Sequence, residues 1–345
     1  MPRCVHDDIG RWPIGRSKRR PCRKVVGLVL KILVVGSVAY DSVETPEGRR
    51  QVQLGGSATY FSVAASYFAE VGLVGVVGSD FRDDDRLMLE NHGIDISGLE
   101  SAAGRTFRWS GEYLQDINNA VTLETQLNVF AEFQPKLDER HAAAPFLFLA
   151  NIDPKLQLAV LKSMSNRPQM VACDTMNLWI DIARPALSQL IAEVDALMIN
   201  EAEARQFTEQ GHLPAAAQSL LGCGPSTVVI KRGEYGAALF NSSFNFAAPA
   251  YPLAKVVDPT GAGDSFAGGF MGYLAARGDT GQESLRRAAI VGSVMASFAV
   301  EAFGLDRLRR LTHEDIRDRY EAFVDLTRFL PLGSSDQLPR AEMHR

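Results

Sequence analysis

Short, continuous apolar runs separated by amphipathic segments recur along this 345-residue chain and limit its fold more than any other feature. "KILVVGS" (31–37), "LVGVVGSD" (73–80), "FLFLANI" (146–152), "MVACDTMN" (170–177), "ALMIN" (196–200) and "STVVIKRG" (226–233) read as strands. "TYFSVAASYFAEVG" (59–72), "PKLQLAVLKSM" (154–164) and "PAAAQSLLGCG" (214–224) read as helices between them. A strand apolar on both faces must be covered on both. The fold class is therefore α/β, with a mostly parallel central sheet flanked by helices and joined by right-handed crossovers.

Residues 105–133, "RTFRWSGEYLQDINNAVTLETQLNVFAEF", break this rhythm with Thr, aromatic and β-branched residues in polar alternation. That pattern suits exposed antiparallel strands. With "SVETPEGRRQVQLGG" (42–56) they predict a small β lid, although a surface hairpin without a lid role fits the same pattern. The main domain is expected over 30–329, followed by a polar tail over 330–345.

Residues 1–24 carry eight Arg or Lys against two Asp, leaving the remainder at −11 of a total −5. An acidic body argues against nucleic acid as a partner. "GRSKRRPCRKVVGLVLKILVVGSVAY" has the outline of a secretory signal, but Lys31 interrupts the apolar stretch and cleavage near Ala39 would remove the first strand. Residues 1–29 are expected instead as a basic, disordered extension, or as sequence upstream of the true start near Val29. No run approaches the roughly 18 apolar residues needed to cross a bilayer. Four cysteines without metal-ligand or disulfide-framework spacing suggest a reducing cytoplasm.

"DPTGAGDSFAGGF" (258–270) carries the chemistry. It follows "AYPLAKVV" (250–257), read as a strand, and opens a helix through Phe266, Phe270, Met271 and Leu274 that stops at Gly278. Gly261, Ala262 and Gly263 then lie at a helix N-terminus, where unpaired N–H groups and the dipole receive a phosphate-like anion. Asp264 follows in the first turn, where the dipole is expected to keep it ionised and able to take a proton from an attacking hydroxyl. A helix-capping role for Asp264 fits the local pattern equally well.

The motif resembles the C-terminal signature of the PfkB, or ribokinase-like, family of carbohydrate and nucleoside kinases. "GSVAYDS" (36–42), "LGGSATYFSVAAS" (54–66), "VGVVGSDF" (74–81), "NEAEA" (200–204) and "IKRGEYGA" (230–237) resemble further family elements, in family order over roughly 31–305. The resemblance implies a ribokinase-like fold and ATP-dependent phosphotransfer to an alcohol of a sugar or sugar derivative. A nucleoside kinase, or a non-catalytic sensor on the same fold, are the alternatives. It implies Asp264 as catalytic base and Gly261, Ala262 and Gly263 as the anion hole. Asn200 and Glu203 would hold Mg2+ through water; Lys231, Gly233, Gly236 and Thr260 would serve the nucleotide. Asp41, Gly55, Gly56 and Tyr60 would meet the acceptor, and Asn177 fits either the acceptor site or a strand-end cap. A monovalent cation such as K+ is a further family expectation, and the exposed strand edges of the lid leave room for a homodimer through it.

Two departures bear on the acceptor. Ala39 and Tyr60 stand where many sugar kinases of the family have Asn, which removes polar contacts and admits an aromatic or larger apolar substrate. Arg108 and Trp109 are read as surface packing rather than substrate contacts. "RRAAIVGSVMASFAVEAFG" (286–304) fits either an adenine-side helix or a core helix. "GDSFA" resembles a serine-hydrolase motif around Ser265, but no histidine with a paired acid accompanies it.

Overall fold

The computed structural model describes residues 30–114, 117–118, 120–333 and 338. The expected basic extension, 1–29, and most of the polar tail lie outside the described residues. Thirteen strands follow in chain order: β1 (Ile32–Val35), β2 (Ala39–Thr45), β3 (Gly48–Gly55), β4 (Val71–Gly78), β5 (Asp95–Ala102), β6 (Phe107–Tyr113), β7 (Ala120–Gln126), β8 (Phe146–Leu149), β9 (Met170–Asp174), β10 (Ala196–Asn200), β11 (Thr227–Lys231), β12 (Ala237–Asn241) and β13 (Asn245–Ala248).

Nine of them form the main sheet in the order β13-β12-β11-β10-β9-β8-β1-β4-β5. All neighbours from β11 to β5 pair parallel, and β12 and β13 close the other edge antiparallel. The doubly apolar strand pattern is the cause. In β1, Ile32 and Val34 enter one core with helices Ser57–Ala65, Ala262–Arg277 and Gln282–Ala299. Leu33 and Val35 enter the other, with helices Pro154–Lys162, Arg184–Glu193, Glu201–Thr208 and Leu213–Leu221.

The remaining four strands form a small sheet, β3-β2-β6-β7. Its central pair, β2 and β6, runs parallel, whereas β2–β3 and β6–β7 are antiparallel. Residues 128–132 form a 3-10 turn rather than strand.

The sequence reading of 250–257 as a strand is wrong. Those residues carry no strand, and β13 ends just before Pro249. Pro252 has no N–H for a ladder, and Val257 donates instead to the carbonyl of Val300, 2.8 Å away. Helix Gln282–Ala299 is a core helix, with Ala288, Val294 and Phe298 almost fully buried. Among the described cysteines, Cys173 and Cys223 are free. No helix of the described residues is long and apolar enough to cross a membrane.

Glycines bring helix Ala262–Arg277 unusually near helix Ser57–Ala65. A Cβ on Gly268 would stand 2.4 Å from the Phe61 carbonyl oxygen, and one on Gly272 2.9 Å from Ala65 Cα. This close approach packs the middle of helix Ala262–Arg277 against helix Ser57–Ala65 at Phe61 and Ala65.

Candidate active site

Strands β1, β8, β9, β10 and β11 present their C-terminal ends to one edge of the sheet, where open α/β sheets bind ligands. At that edge helix Ala262–Arg277 begins from Gly261, whose φ of 74° is a left-handed conformation natural to glycine. A Cβ there would also lie 2.3 Å from Tyr60 Cγ, so the tyrosine ring sits directly against the turn. The expected anion hole is only partly open. The Ala262 N–H donates to the Pro259 carbonyl at 3.2 Å, because the tight turn folds it back, whereas the Gly263 N–H has no acceptor among the described residues.

Asp258 fixes this loop. Its fully buried carboxylate accepts from the Thr260 N–H at 2.9 Å, Gln53 Nε2 at 3.1 Å and the Gly304 N–H at 3.0 Å. Thr45 Oγ1 also donates to the Val257 carbonyl at 2.8 Å. The loop is thus tied to β2 and β3 of the small sheet and to the turn after helix Gln282–Ala299. Sequence reading assigned Asp258 no part, since Gln53 and Gly304 lie far from it along the chain.

Behind Gly263 stands Lys231, the last residue of β11. Its Nζ lies 2.5 Å from Asp174 Oδ2 at the end of β9. A Cβ on Gly263 would be 3.1 Å from the same Nζ. Glu203 faces this pair: Lys231 and Asp174 both act on its charge. Asn200 and Glu203 form a capping box, with Asn200 Oδ1 accepting from the Glu203 N–H at 2.8 Å and Glu203 Oε2 from the Asn200 N–H at 3.0 Å.

On the acceptor side, Asp41 of β2 is buried, and the nearby Gly56 amide favours its ionised form. Gly55 leaves the space: a Cβ there would fall 1.9 Å from Asp41 Oδ2. Tyr60 is almost fully buried and its hydroxyl has no hydrogen-bond partner among the described residues. The charges acting on that hydroxyl are Asp258, Asp41, Tyr113 and Asp264, which places it among them. Tyr113, at the end of β6, accepts a hydrogen bond from Thr260 Oγ1 at 3.2 Å. Sequence reading missed Tyr113, because only the pairing of β6 beside β2 carries it here.

Burial dominates the electrostatics. The carboxyls of Asp264, Asp41 and Glu203 are each pushed up to about 7. For Asp264 the Asp174 carboxylate adds to the effect of burial and the Lys231 ammonium opposes it. The expectation that the helix dipole alone keeps Asp264 ionised is therefore corrected: desolvation outweighs it, and the group exchanges its proton near neutrality.

Other expected residues lie apart. Asn177 is exposed, and its Oδ1 accepts from the Leu178 N–H at 2.9 Å. Gly233 and Gly236 shape the turn after β11 with φ of 55° and 84°. Arg108 pairs with Asp80 at 2.8 Å, and Trp109 Nε1 donates to Thr122 Oγ1 at 3.2 Å, so both pack within the protein. Ser265 is fully buried, which removes it as an exposed nucleophile.

A model of the pfkB family of carbohydrate kinases matches residues 29–308. A cytidine kinase of Thermococcus kodakarensis is 32% identical over 255 residues, covering 72% of this chain and 90% of that protein. The crystal structure of a nucleoside kinase from Methanocaldococcus jannaschii, a member of the ribokinase family, aligns with 86% of this chain and 100% of its own, at a TM-score of 0.68 and 22% identity. A Burkholderia thailandensis nucleoside kinase, solved with inosine, aligns with 85% of this chain and 99% of its own, at a TM-score of 0.71 and 18% identity. The fold is thus ribokinase-like, and the chain belongs to the pfkB family of carbohydrate kinases.

Proposed function

We propose that this pfkB-family kinase transfers the terminal phosphoryl group of ATP to a hydroxyl of a nucleoside, with Asp264 as the general base. The observation that carries the reading is the position of Asp264. It lies in the first turn of helix Ala262–Arg277 as a half-buried residue, and burial with the Asp174 charge pushes its carboxyl up to about 7. Asp41 faces it from the small sheet closely enough to feel its charge.

The step balances simply. Asp264 takes the acceptor's hydroxyl proton, the freed oxygen bonds to the γ-phosphorus, and the bond from that phosphorus to the β–γ bridging oxygen breaks, releasing ADP. The Gly263 amide stabilises charge on the phosphoryl oxygens. Asp41 accepts from acceptor hydroxyls and orients the attacking one. The small sheet acts as a lid: β2 supplies Asp41 and β6 brings Tyr113 against the catalytic loop, excluding water.

Asp174, Glu203 and Asp264 gather three carboxylates around one ammonium, an excess of negative charge that fits a hydrated divalent cation. Mg2+ would be held through water near Asn200 and Glu203, since it keeps several of its waters and needs few direct protein ligands. Such an ion would neutralise phosphate charge. A monovalent cation remains an expectation of the family resemblance.

Two features favour a nucleoside over a simple sugar: similarity to the cytidine kinase, and Tyr60 in place of a polar residue beside the acceptor. The test is a screen of nucleosides, sugars and keto-sugar acids with ATP and Mg2+, run beside Asp264→Asn. Nucleoside-dependent ADP release that falls about 10²–10⁴-fold in the variant is expected. Equal rates in both proteins reject the base role, and a sugar as best acceptor rejects the nucleoside assignment.

A further inference from the structure

We infer that Lys231, positioned by Asp174, is the cation that grips the phosphoryl group in transit, rather than a contact to the base or sugar of the nucleotide. The inference rests on the phosphotransfer reading above and specifies one part of that site.

Strand order creates the arrangement. β10 lies between β9 and β11, and its register pairs Asn200 with Lys231 and Met198 with Asp174. Lys231 and Asp174 therefore emerge at the same sheet edge, 57 residues apart in the chain, and meet over the end of β10. Asp174 is buried and the lysine side chain is only 17% exposed.

An ammonium carries three N–H donors. The hydrogen bond to Asp174 uses one of them, and no other acceptor is found among the described residues. The nearby Gly263 amide also has no acceptor among the described residues. A Cβ on Gly263 would stand 3.1 Å from Lys231 Nζ, so the amide and the ammonium lie side by side. Donors from β11 and from the helix start thus converge beside Asp264, the base that takes the acceptor's proton. An acceptor with several oxygens and negative charge satisfies both, as a phosphoryl group does.

A purely structural ion pair explains less. A buried pair is weak as a stabilising device because desolvation offsets its Coulomb gain. It would also be expected to satisfy its own donors rather than leave them facing the catalytic turn. During transfer Lys231 keeps its proton throughout; it holds phosphoryl oxygens while Asp264 receives the acceptor's proton. Asp174 is a positioning residue, fixing the ammonium without touching substrate.

The experiment compares binding of Mg·ADP with that of a Mg-bound β,γ-imido ATP analogue by calorimetry, in the wild type, Lys231→Met and Asp174→Asn. Lys231→Met should weaken the analogue about 10–100-fold while leaving ADP nearly unchanged. It should also lower kcat about 10²–10³-fold. Asp174→Asn, which preserves shape, should lower kcat about tenfold with the acceptor KM unchanged, and should add nothing in the Lys231→Met background. Equal losses for ADP and the analogue, or a kcat within threefold of wild type in both single variants, overturn the assignment. If Lys231→Met does not fold, Asp174→Asn decides: unchanged kcat and an unchanged preference for the analogue reject the proposal. Absence of phosphorylation for every acceptor would defeat the kinase reading, while the binding comparison would still report on Lys231.

Discussion

Asp41 shows the conflict between stability and function in one side chain. The residue is 4% exposed, and burial together with Asp258 and Asp264 pushes its carboxyl up to about 7. Holding it ionised above that pH costs up to about 4 kcal/mol relative to the unfolded chain. Asp41→Asn keeps an oxygen near the Gly56 amide but carries no charge, so the ligand-free protein should gain roughly 1–3 kcal/mol at pH 8. The acceptor KM should rise about 100-fold as charge-assisted hydrogen bonds are lost. Thermal melts and steady-state kinetics check both; a variant both less stable and equally active removes Asp41 from the site. Residues of this kind differ in how far sequence reveals them. Gly261–Asp264 is local, since one turn and one helix start define it. Asp174 is not: "MVACDTMN" reads as a buried strand with a polar end, and only the β9-β10-β11 order delivers its carboxylate to Lys231.

At the scale of elements, doubly apolar strands were legible because burial on both faces leaves a plain pattern, as in β1, β8 and β10. "DISGLESA" (β5) was not recognised, since an edge strand with one covered face carries polar residues. "AYPLAKVV" was misread because apolar content concealed the effect of Pro252 on ladder pairing. The small sheet was legible in composition but not in its attachment to the catalytic loop. That attachment rests partly on the Thr260–Tyr113 hydrogen bond. A bond of this class contributes about 0.5–1.5 kcal/mol. Tyr113→Phe should therefore raise the acceptor KM about 3–10-fold and increase ATP hydrolysis relative to transfer, as water enters a looser site. Product analysis with limiting acceptor measures that ratio, and an unchanged ratio argues that this contact does not help close the lid.

Across the whole molecule, the same site makes stability depend on pH in a direction that can be worked out. Asp41, Asp264 and Glu203 ionise near 4 in an unfolded chain and near 7 in the fold. Between those values the native state binds more protons, so these groups stabilise it fully below about 4, and their contribution is lost as pH rises through about 7. His92 opposes them: burial lowers its pKa, and its contribution improves as pH rises through its normal range. Asp80, Asp95, Glu201 and Asp315 are shifted downward and finish titrating below that window. Three carboxylates against one imidazole predict that Tm of the ligand-free protein falls between pH 5.5 and 7.5. Mg·ATP should flatten the fall, because a divalent cation near Asp174, Glu203 and Asp264 stabilises their ionised forms, so ligand stabilisation should be larger at pH 7.5 than at pH 5.5. A ligand-free Tm that is level or rising across that range, or a Mg·ATP shift independent of pH, would mean that the carboxylates do not form the coupled, desolvated cluster on which the proposed chemistry depends.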